Sequence, residues 1–548
     1  MAAQVGWVVA LSAALTAFVE RFGFDPTDQG FVLAQSWRIL HGEMPHSDVV
    51  SARPLGSAYL HTLDFALPAP LMVSSIFVAT LQLVTATVLL AAWTSGVGPT
   101  RWGVARTAVV ATAAVVNLHQ FPMNAWHTVD GILAVAAGWW ALDVGMRRDR
   151  DVVVRLGLPA IGVAAIVKQS FVPALLITLV VLVVRRRRPA QLIPDVAVLF
   201  AVPAAYVAVV AAGGGVHDML AQLGGASSDV GLRLLDVTGV PGALPVLAVV
   251  AVAAVLAHTV RRPAVRAAAV VAGCAAVVLV IATGRLERAG DWGITLWWVL
   301  AVVVAVHALA RRRVPWRAAG LLALGVMASL SWGYDSPTLL GGSLALLTVD
   351  VLTREMPPVR APRAAGVVAA VTVCVVTLAW MGVQRAEHSY RDGPYDELTA
   401  DLGTSIPSMR WVRTSPETAD YVGDLARCVE RYPADRVAVL PDNAFVYPAL
   451  GVRNPFPLDW PLTGELVADS RDRFDAAADA LDDDFLVLFQ TIAHDGSAGH
   501  DGTGGRRTAF AGTEVVDDSG IARGVLDRVH GRVVTCGSFV GVWAPPRR

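Results

Sequence analysis

The sequence predicts a polytopic α-helical membrane protein of about thirteen transmembrane helices, followed by a C-terminal α/β domain outside the membrane. Its 548 residues are 55% hydrophobic and 16% charged, a composition typical of membrane proteins. The charge balance reverses near residue 384: residues 1–384 contain 27 basic and 19 acidic side chains, whereas residues 385–548 contain 17 basic and 26 acidic ones. This reversal indicates a membrane domain at 1–384 and an acidic, water-soluble domain at 385–548.

The membrane domain is predicted from apolar stretches of a length that suits a bilayer. The first is interpreted as a retained span, because no strongly basic region precedes it and no persuasive cleavage site follows it. The apolar stretches lie at about 3–22, 70–94, 104–121, 128–146, 152–167, 170–184, 192–212, 241–260, 264–283, 292–310, 318–333, 337–353 and 364–384.

Arginine clusters occupy every second connection between these stretches. By the positive-inside rule those connections are cytoplasmic, so the other connections and the acidic domain lie on the outer side. The strong bias to arginine, alanine, valine and glycine is typical of a high-GC bacterial genome, which indicates a bacterial plasma membrane. The predicted outer connections are 23–69, 122–127, the turn at Lys168, 213–240, 284–291 and 334–336.

The outer loop 23–69 concentrates ionisable residues directly after the first span. Asp28 is its leading candidate for catalysis, because an ionisable residue at a membrane face is often functional; an ordinary solvated acid is the alternative. Apolar residues at helical spacing over 31–41 predict an amphipathic helix along the membrane surface. A second short helix is predicted from Pro54 to about Phe65, since proline is tolerated at a helix start.

Lys168 is the single lysine of the chain. It lies at the outer end of a span, against the positive-inside trend, and Gln169 follows it. One interpretation is a lysine that extends to the headgroup region; the other is a lysine that binds an anion.

The outer connection around residues 117–131 contains two histidines and an acid. These side chains suit a divalent metal, although their spacing is not that of a recognised metal site. The alternative is that Thr128 or Asp130 caps the start of the next helix. The polar residues of this connection are His119, Asn124, His127 and Asp130.

Other charged outer loops either bind a phosphate or an acceptor sugar or are simply solvated, and the solvated interpretation is preferred for Glu287. They contain Arg285, Glu287, Arg288, Asp291, Tyr334 and Asp335. Two histidine–aspartate pairs, His494–Asp495 and His500–Asp501, lie in the Gly-rich stretch 494–507, which predicts a mobile loop rather than a metal site.

The C-terminal part reads as a mixed α/β domain. Pro416 to Arg431 has a helical pattern with an acidic first turn, and Val437–Leu440 and Phe485–Phe489 are apolar runs of strand length. Cys428 and Cys536 both lie in this part and allow one disulfide, with two free thiols as the alternative.

No phosphate-binding loop of the G-x-x-x-x-G-K-[ST] type occurs, and no G-x-G-x-x-G follows a predicted strand. A nucleotide-binding domain is therefore not expected. The short cytoplasmic connections leave no room for a soluble domain that would use nucleotide sugars, so a lipid-linked donor on the outer side is favoured.

The order of motifs in loop 23–69 resembles a known family. Asp28-Gln29-Gly30 is followed by an amphipathic helix, then by the stretch HGEMPHSD with Gly42, Pro45 and Asp48 in a Gly-x-x-Pro-x-x-Asp pattern. This resembles the first outer loop of GT-C glycosyltransferases, in the branch of the protein O-mannosyltransferases and the aminoarabinose transferase of lipid A. Those proteins show Asp-Glu-Gly; Gln29 removes a possible second carboxylate and leaves a metal requirement open.

The resemblance implies an inverting glycosyltransferase of the plasma membrane that moves a mannose- or arabinose-like sugar. The donor would be a polyprenyl-phosphate-linked sugar and the acceptor a glycan or glycolipid of the cell envelope, with no nucleic acid involved. Asp28 would be the catalytic base, and Lys168 with Arg53 would bind the lipid phosphate. The supporting polar residues would be Asp48, Asp130, His127 and Gln169.

A transporter or flippase of a lipid-linked sugar is the alternative. It would place ionisable residues at mid-membrane between paired repeats. The sequence instead gathers charge in the outer connections and shows no evident internal repeat, so the enzyme is the preferred hypothesis.

Overall fold

The computed structural model describes residues 2–118, 123–185, 188–225, 233–284, 289–330, 335–354, 363–387, 392–492, 506–517 and 519–547. Several residues singled out above lie outside these ranges. They are His119, Arg285, Glu287, Arg288, Tyr334, His494, Asp495, His500 and Asp501.

Every predicted apolar stretch contains a helix. Among the described residues, six helices are long and apolar enough to cross a membrane, and five more are apolar but shorter; a total of thirteen spans stays a prediction. The helices up to residue 387 are α1 (Ala2–Leu15, continued by a π-helix at Thr16–Glu20), α2 (Phe31–Leu40), α3 (Gly56–His61), α4 (Leu71–Ser95), α5 (Val104–Asn117), α6 (His127–Arg147), α7 (Asp151–Val167), α8 (Val172–Arg185), α9 (Pro189–Ala212), α10 (Val216–Gly224), α11 (Ala243–Thr259), α12 (Pro263–Thr283), α13 (Ala289–Arg311), α14 (Trp316–Ser329), α15 (Gly341–Thr353) and α16 (Arg363–Glu387).

Local signals in the sequence account for several helix ends. Pro189 and Pro263 begin α9 and α12, where the missing proline N–H would have had no helical partner. Gly96 directly follows the last residue of α4, and its φ of 72° is the left-handed conformation that glycine adopts without a steric penalty. These local signals therefore explain where α9 and α12 begin and where α4 ends.

Segments predicted to share one side of the membrane contact one another. The loop after α1 reaches α10, where the His46 ring lies 2.8 Å from the Gln222 amide oxygen. At the predicted cytoplasmic ends, Arg106 pairs with Asp350 at 2.6 Å and Arg317 with Asp143 at 3.1 Å. This grouping agrees with the predicted alternation, while the assignment of each side stays a prediction.

The C-terminal part is an α/β domain, as predicted. Its main sheet has the order β3-β4-β8-β7, in which β3 and β4 are parallel and the other neighbours antiparallel. The strands are β1 (Ala400–Asp401), β2 (Arg413–Thr414), β3 (Arg436–Leu440), β4 (Phe485–Gln490), β5 (Arg507–Phe510), β6 (Thr513–Val516), β7 (Arg532–Cys536) and β8 (Phe539–Ala544), and the helices are α17 (Pro416–Arg431), α18 (Val446–Leu450), α19 (Ser470–Asp479) and α20 (Ile521–Leu526).

Several predictions for this domain are confirmed. α17 has the predicted bounds, and Ser415 caps it by accepting a hydrogen bond from the Thr418 N–H. The two predicted strands are β3 and β4. Cys428 of α17 and Cys536 of β7 form a disulfide with a Cα–Cα distance of 5.7 Å, which resolves the alternatives that the sequence left open.

The outer loop packs against this domain rather than lying free. The helix predicted over 31–41 is α2, but its polar residues Gln35 and Arg38 are buried. The Trp37 indole N–H donates to the Val452 carbonyl at 3.0 Å, and the Val50 N–H donates to Pro457 at 2.8 Å. The polar face of α2 is therefore covered by protein and not by water.

The second predicted helix is shorter than expected. It comprises α3 and a following 3₁₀ turn at Thr62–Ala66.

The hydrophobic core is continuous between the two parts of the chain: Ile406 and Met409 belong to the same cluster of buried side chains as Met72 and Ile76 of α4. A domain boundary near residue 384 thus stays a prediction.

Candidate functional site

Lys168 and Arg53 lie together in a buried site. Lys168 ends α7 in an extended conformation, and the 3₁₀ turn Gln169–Phe171 follows it. The Gln169 amide N–H donates to the Ala52 carbonyl at 2.8 Å, so this turn lies against the residue before Arg53. The Lys168 ammonium donates to the Thr128 hydroxyl at 3.1 Å. Three segments far apart in sequence therefore meet around the two predicted phosphate-binding residues.

The charge of Lys168 is poorly solvated there. Its side chain is only 3% exposed. Burial lowers the pKa of Lys168 well below its ordinary value, and the positive charge of Arg53 lowers it further, while the Glu465 carboxylate opposes the shift. An anion placed beside the ammonium would favour the protonated lysine. The site is therefore suited to a negatively charged ligand.

Polar atoms without partners surround this pair of cations. His127, in the first turn of α6, is buried and within electrostatic reach of both Arg53 and Lys168. Among the described residues, neither its Nε2 atom nor the Ser170 hydroxyl has a hydrogen-bond partner, and the same holds for the Gln169 amide oxygen. Buried polar groups in folded proteins are nearly always paired, so this concentration points to a polar ligand.

Glu465 of the C-terminal domain completes the site and was not predicted. It lies in a 3₁₀ turn at Thr463–Glu465 and is 1% exposed. Arg53 Nη1 donates to Glu465 Oε2 at 2.8 Å, and Arg53 Nη2 is 2.6 Å from Oε1. Nothing in the sequence around Glu465 indicates this contact, because a pairing between distant segments leaves no local pattern.

Asp28 lies in a tight turn that ends at Gly30. The turn is closed by hydrogen bonds from the Gln29 N–H to the Asp25 carbonyl and from the Asp25 N–H to the Gln29 side-chain oxygen, both 3.0 Å. Gly30 has a φ of 93°, and a Cβ there would be 2.5 Å from the Phe445 Cα atom. Only glycine allows both this conformation and this approach, so Gly30 fixes the buried Asp28 against the C-terminal domain.

A second carboxylate from the C-terminal domain contacts this turn. The Thr27 hydroxyl donates to Asp442 Oδ2 at 3.2 Å. Asp442 follows β3, and Asn443 beside it donates to Gln490, the last residue of β4, at 2.7 Å. Functional residues often lie at the carboxyl ends of parallel strands. Asp442 was not predicted, although its position just after the predicted strand Val437–Leu440 is a signal that could have singled it out.

An aromatic contact relates the Asp28 turn to the cationic site. Phe31, the first residue of α2, has the Arg53 guanidinium 5.8 Å from its ring centroid. The Trp460 ring lies beside the Phe31 ring, with 4.9 Å between the ring centroids. Because Phe31 is only three residues after Asp28, the turn that contains the predicted base lies near Arg53.

Asp130 forms a different buried cluster. It accepts a hydrogen bond from the Gln82 amide at 2.7 Å and lies 3.3 Å from the His61 ring, whose other nitrogen is 2.8 Å from Asp64. Burial disfavours the charged imidazole, but the Asp130 and Asp64 carboxylates outweigh it and raise the pKa of His61 to about 10. The group is thus an imidazolium between two carboxylates.

Asp48 does not join either cluster. It is exposed, and its carboxylate accepts a hydrogen bond from the Met44 N–H at 2.7 Å, which closes the turn after α2. It also lines a surface cleft of about 510 Å³ between this turn and the C-terminal domain. Of the predicted site residues, Arg53, Lys168, Gln169 and His127 come together, whereas Asp130 and Asp48 lie in other surroundings.

Within the described ranges, no group of three or more histidine, cysteine, aspartate or glutamate side chains is arranged to hold a metal ion.

Comparisons with known proteins found matches only to solved structures. No protein-family model matches the sequence, and none of the curated proteins matches it. A solved structure of the Archaeoglobus fulgidus oligosaccharyltransferase, in complex with Zn and sulfate, aligns with a TM-score of 0.43 and 12% sequence identity, over 89% of this chain and 68% of that chain.

Proposed function

We propose that the protein is an inverting glycosyltransferase of the GT-C type, which moves a sugar from a polyprenyl-phosphate donor to a cell-envelope acceptor. The observation that supports this most directly is the buried cationic site. Lys168 and Arg53 lie beside unpartnered polar atoms, as expected for a site that binds a phosphate.

The proposed reaction is a single displacement. Asp28 removes the proton of an acceptor hydroxyl while its oxygen forms a bond to the anomeric carbon of the donor sugar. The bond between that carbon and the phosphate oxygen breaks, and its electron pair leaves with the lipid phosphate. Lys168 neutralises the charge that develops on this leaving group, with Arg53 beside it in the same site. Attack from the face opposite the phosphate inverts the anomeric configuration.

The other predicted residues have supporting roles in this proposal. His127 and Gln169 contribute polar atoms beside the phosphate, and Asp130 holds the first turn of α6 through His61. Asp48 shapes the turn after α2. The C-terminal domain would position the glycan or glycolipid acceptor, and the transferred sugar would be mannose- or arabinose-like.

The test is a transfer assay in membranes with a panel of radiolabelled polyprenyl-phosphate sugars. Asp28→Asn keeps the shape of the side chain but removes the base, so transfer should fall by about 10²-fold or more. Asp149→Asn is the control for the same substitution, since Asp149 is exposed and is not among the predicted site residues, and it should keep most of the activity.

Two outcomes would contradict the proposal. Full activity of the Asp28→Asn variant would remove Asp28 from the mechanism. If the wild-type protein transfers nothing from the panel but moves a lipid-linked sugar across a vesicle membrane, the transporter hypothesis replaces the enzyme.

A further inference from the structure

The cationic site contains a buried acid that phosphate binding does not require. Glu465 is 1% exposed and pairs with Arg53 at 2.6 Å. It is also close enough to Lys168 to affect the charge of the ammonium. A carboxylate in this position repels a phosphate that approaches the same cations, so its presence must affect which phosphates bind.

The charges of the site can be counted. Arg53 contributes one positive charge and Glu465 cancels it. Lys168 contributes a second positive charge once an anion is bound beside it. Beside a bound phosphate, these three side chains thus have a combined charge of about plus one.

Lipid-linked sugars fall into two charge classes. A sugar joined through one phosphate is a phosphodiester with one negative charge, whereas a sugar joined through a diphosphate carries two. In a buried site the desolvation of an unmatched charge is costly. A site of net charge plus one therefore matches the first class and leaves one charge of the second class without a partner.

We propose that Glu465 is a specificity-determining residue, which sets the charge of the Arg53–Lys168 site so that it accepts a lipid phosphodiester and rejects a lipid diphosphate. This inference rests on the proposed function, because it concerns the donor class of the same site. It follows the general rule that specificity is achieved by repulsion of the wrong ligand as well as by attraction of the right one.

The geometry supports the same assignment. Glu465 contacts both terminal nitrogens of the Arg53 guanidinium, and these nitrogens form the fork that otherwise binds two oxygens of a phosphate. With that fork engaged by Glu465, Lys168 is the cation left to bind phosphate oxygens. A second phosphate would have to compete with the carboxylate for Arg53.

The test compares two probes on the purified full-length protein in detergent. One is a short-chain prenyl methyl phosphodiester, with one negative charge; the other is the corresponding prenyl methyl diphosphate diester, with two. Their dissociation constants are measured by titration calorimetry for the wild-type protein and for Glu465→Gln. The wild-type protein should favour the monophosphate probe by about tenfold, and the variant should lose this preference or reverse it.

Two further variants separate charge from folding. Glu465→Asp keeps the negative charge and should keep the wild-type preference. Glu43→Gln removes an acid that pairs with another buried arginine, Arg38, at 2.7 Å in the same loop. Since Glu43 is not part of the cationic site, this matched control should bind both probes as the wild-type protein does.

The outcomes distinguish this inference from the proposed function. If the wild-type protein binds neither probe, the phosphate site itself is refuted and the inference with it. If it binds both probes but Glu465→Gln leaves their affinity ratio unchanged, Glu465 does not determine the donor class, while the proposed transferase function is untouched. A wild-type preference for the diphosphate probe would also overturn the inference.

Discussion

Arg53 and Glu465 are 412 residues apart in sequence, yet their side chains form a buried ion pair. Arg53 belongs to the outer loop and Glu465 to the C-terminal domain. The candidate site is therefore formed by both parts of the chain, and the C-terminal domain is a component of it rather than an appended module.

We expect anion binding to weaken with rising pH because of Lys168. Its pKa is lowered by burial and by Arg53, so the empty site loses its proton at a pH below that of an ordinary lysine. The affinity for the prenyl methyl phosphodiester, measured by titration calorimetry across pH, should fall through this range. Arginine stays charged throughout, so Lys168→Arg should show no such decline.

The lowered pKa of Lys168 also affects stability: the free energy of unfolding should increase with pH where the affinity for the anion decreases. Between the lowered pKa and the ordinary value, the unfolded chain binds more protons at this lysine than the folded protein does. The free energy of unfolding of the empty protein should therefore gain a contribution as pH rises through the lowered pKa. A pH-independent affinity of the wild-type protein would contradict both expectations.

His61 should make stability decrease at alkaline pH. Its pKa is raised to about 10 by Asp130 and Asp64, against about 6.5 in an unfolded chain. Its stabilising contribution is complete below pH 6.5 and is lost as pH rises through 10. Thermal unfolding from pH 6 to 10 should show this loss in the wild-type protein. His61→Gln should be less stable at pH 6 and should lack that part of the pH dependence.

Substitution of Arg38 should strongly destabilise the folded protein. It is buried, donates to Asp459 at 3.0 Å and to Glu43 at 2.7 Å, and connects α2 to the C-terminal domain. Arg38→Gln leaves the buried Asp459 without its ionic partner and should lower the free energy of unfolding by about 3–5 kcal/mol.

The matched control for Arg38 is another arginine ion pair at the surface. Arg427 pairs with Asp424 at 2.6 Å but its side chain is 66% exposed, so Arg427→Gln should cost less than about 1 kcal/mol. Denaturant unfolding of both variants provides the comparison. Equal losses would show that burial does not decide the contribution of these pairs.

Thr27 should affect turnover through Asp28. Thr27→Val removes the hydrogen bond to Asp442 but keeps the shape of the side chain. A hydrogen bond to a charged acceptor contributes about 1.5–3 kcal/mol, so kcat for sugar transfer should fall about tenfold or more, with little change in KM for the donor. Thr27→Ser keeps the hydroxyl and should restore turnover, whereas a loss in both variants would indicate a packing defect instead.

The sequence was most informative where structure depends on neighbouring residues. Hydrophobic periodicity and caps gave α2, α17 and the strands β3 and β4 near their observed bounds. The isolated lysine and the motif around Asp28 drew attention to Lys168 and Arg53, which the structure brings near each other; their roles stay a prediction. These signals are local, so they can be read from a single chain.

Contacts between distant segments could not be predicted in the same way. Glu465 has no distinctive neighbours in sequence, and the burial of Arg38 depends on Asp459, 421 residues away. Asp130 contacts His61 rather than Lys168 from its position in the first turn of α6, and the sequence gives no sign of this contact. Counting cysteines left the disulfide open; the contact between α17 and β7 resolved it.

The contacts between the outer loop and residues 442–473 also determine when the candidate site can form while the chain is being synthesised. Arg38 and Arg53 leave the ribosome more than 400 residues before Asp459 and Glu465, a delay of about 20–80 s at ordinary translation rates. Over that interval the nascent loop contains cations and carboxylates whose partners do not yet exist. The candidate site can therefore form only after nearly the whole chain has been made, and a polypeptide truncated before Glu465 would lack it.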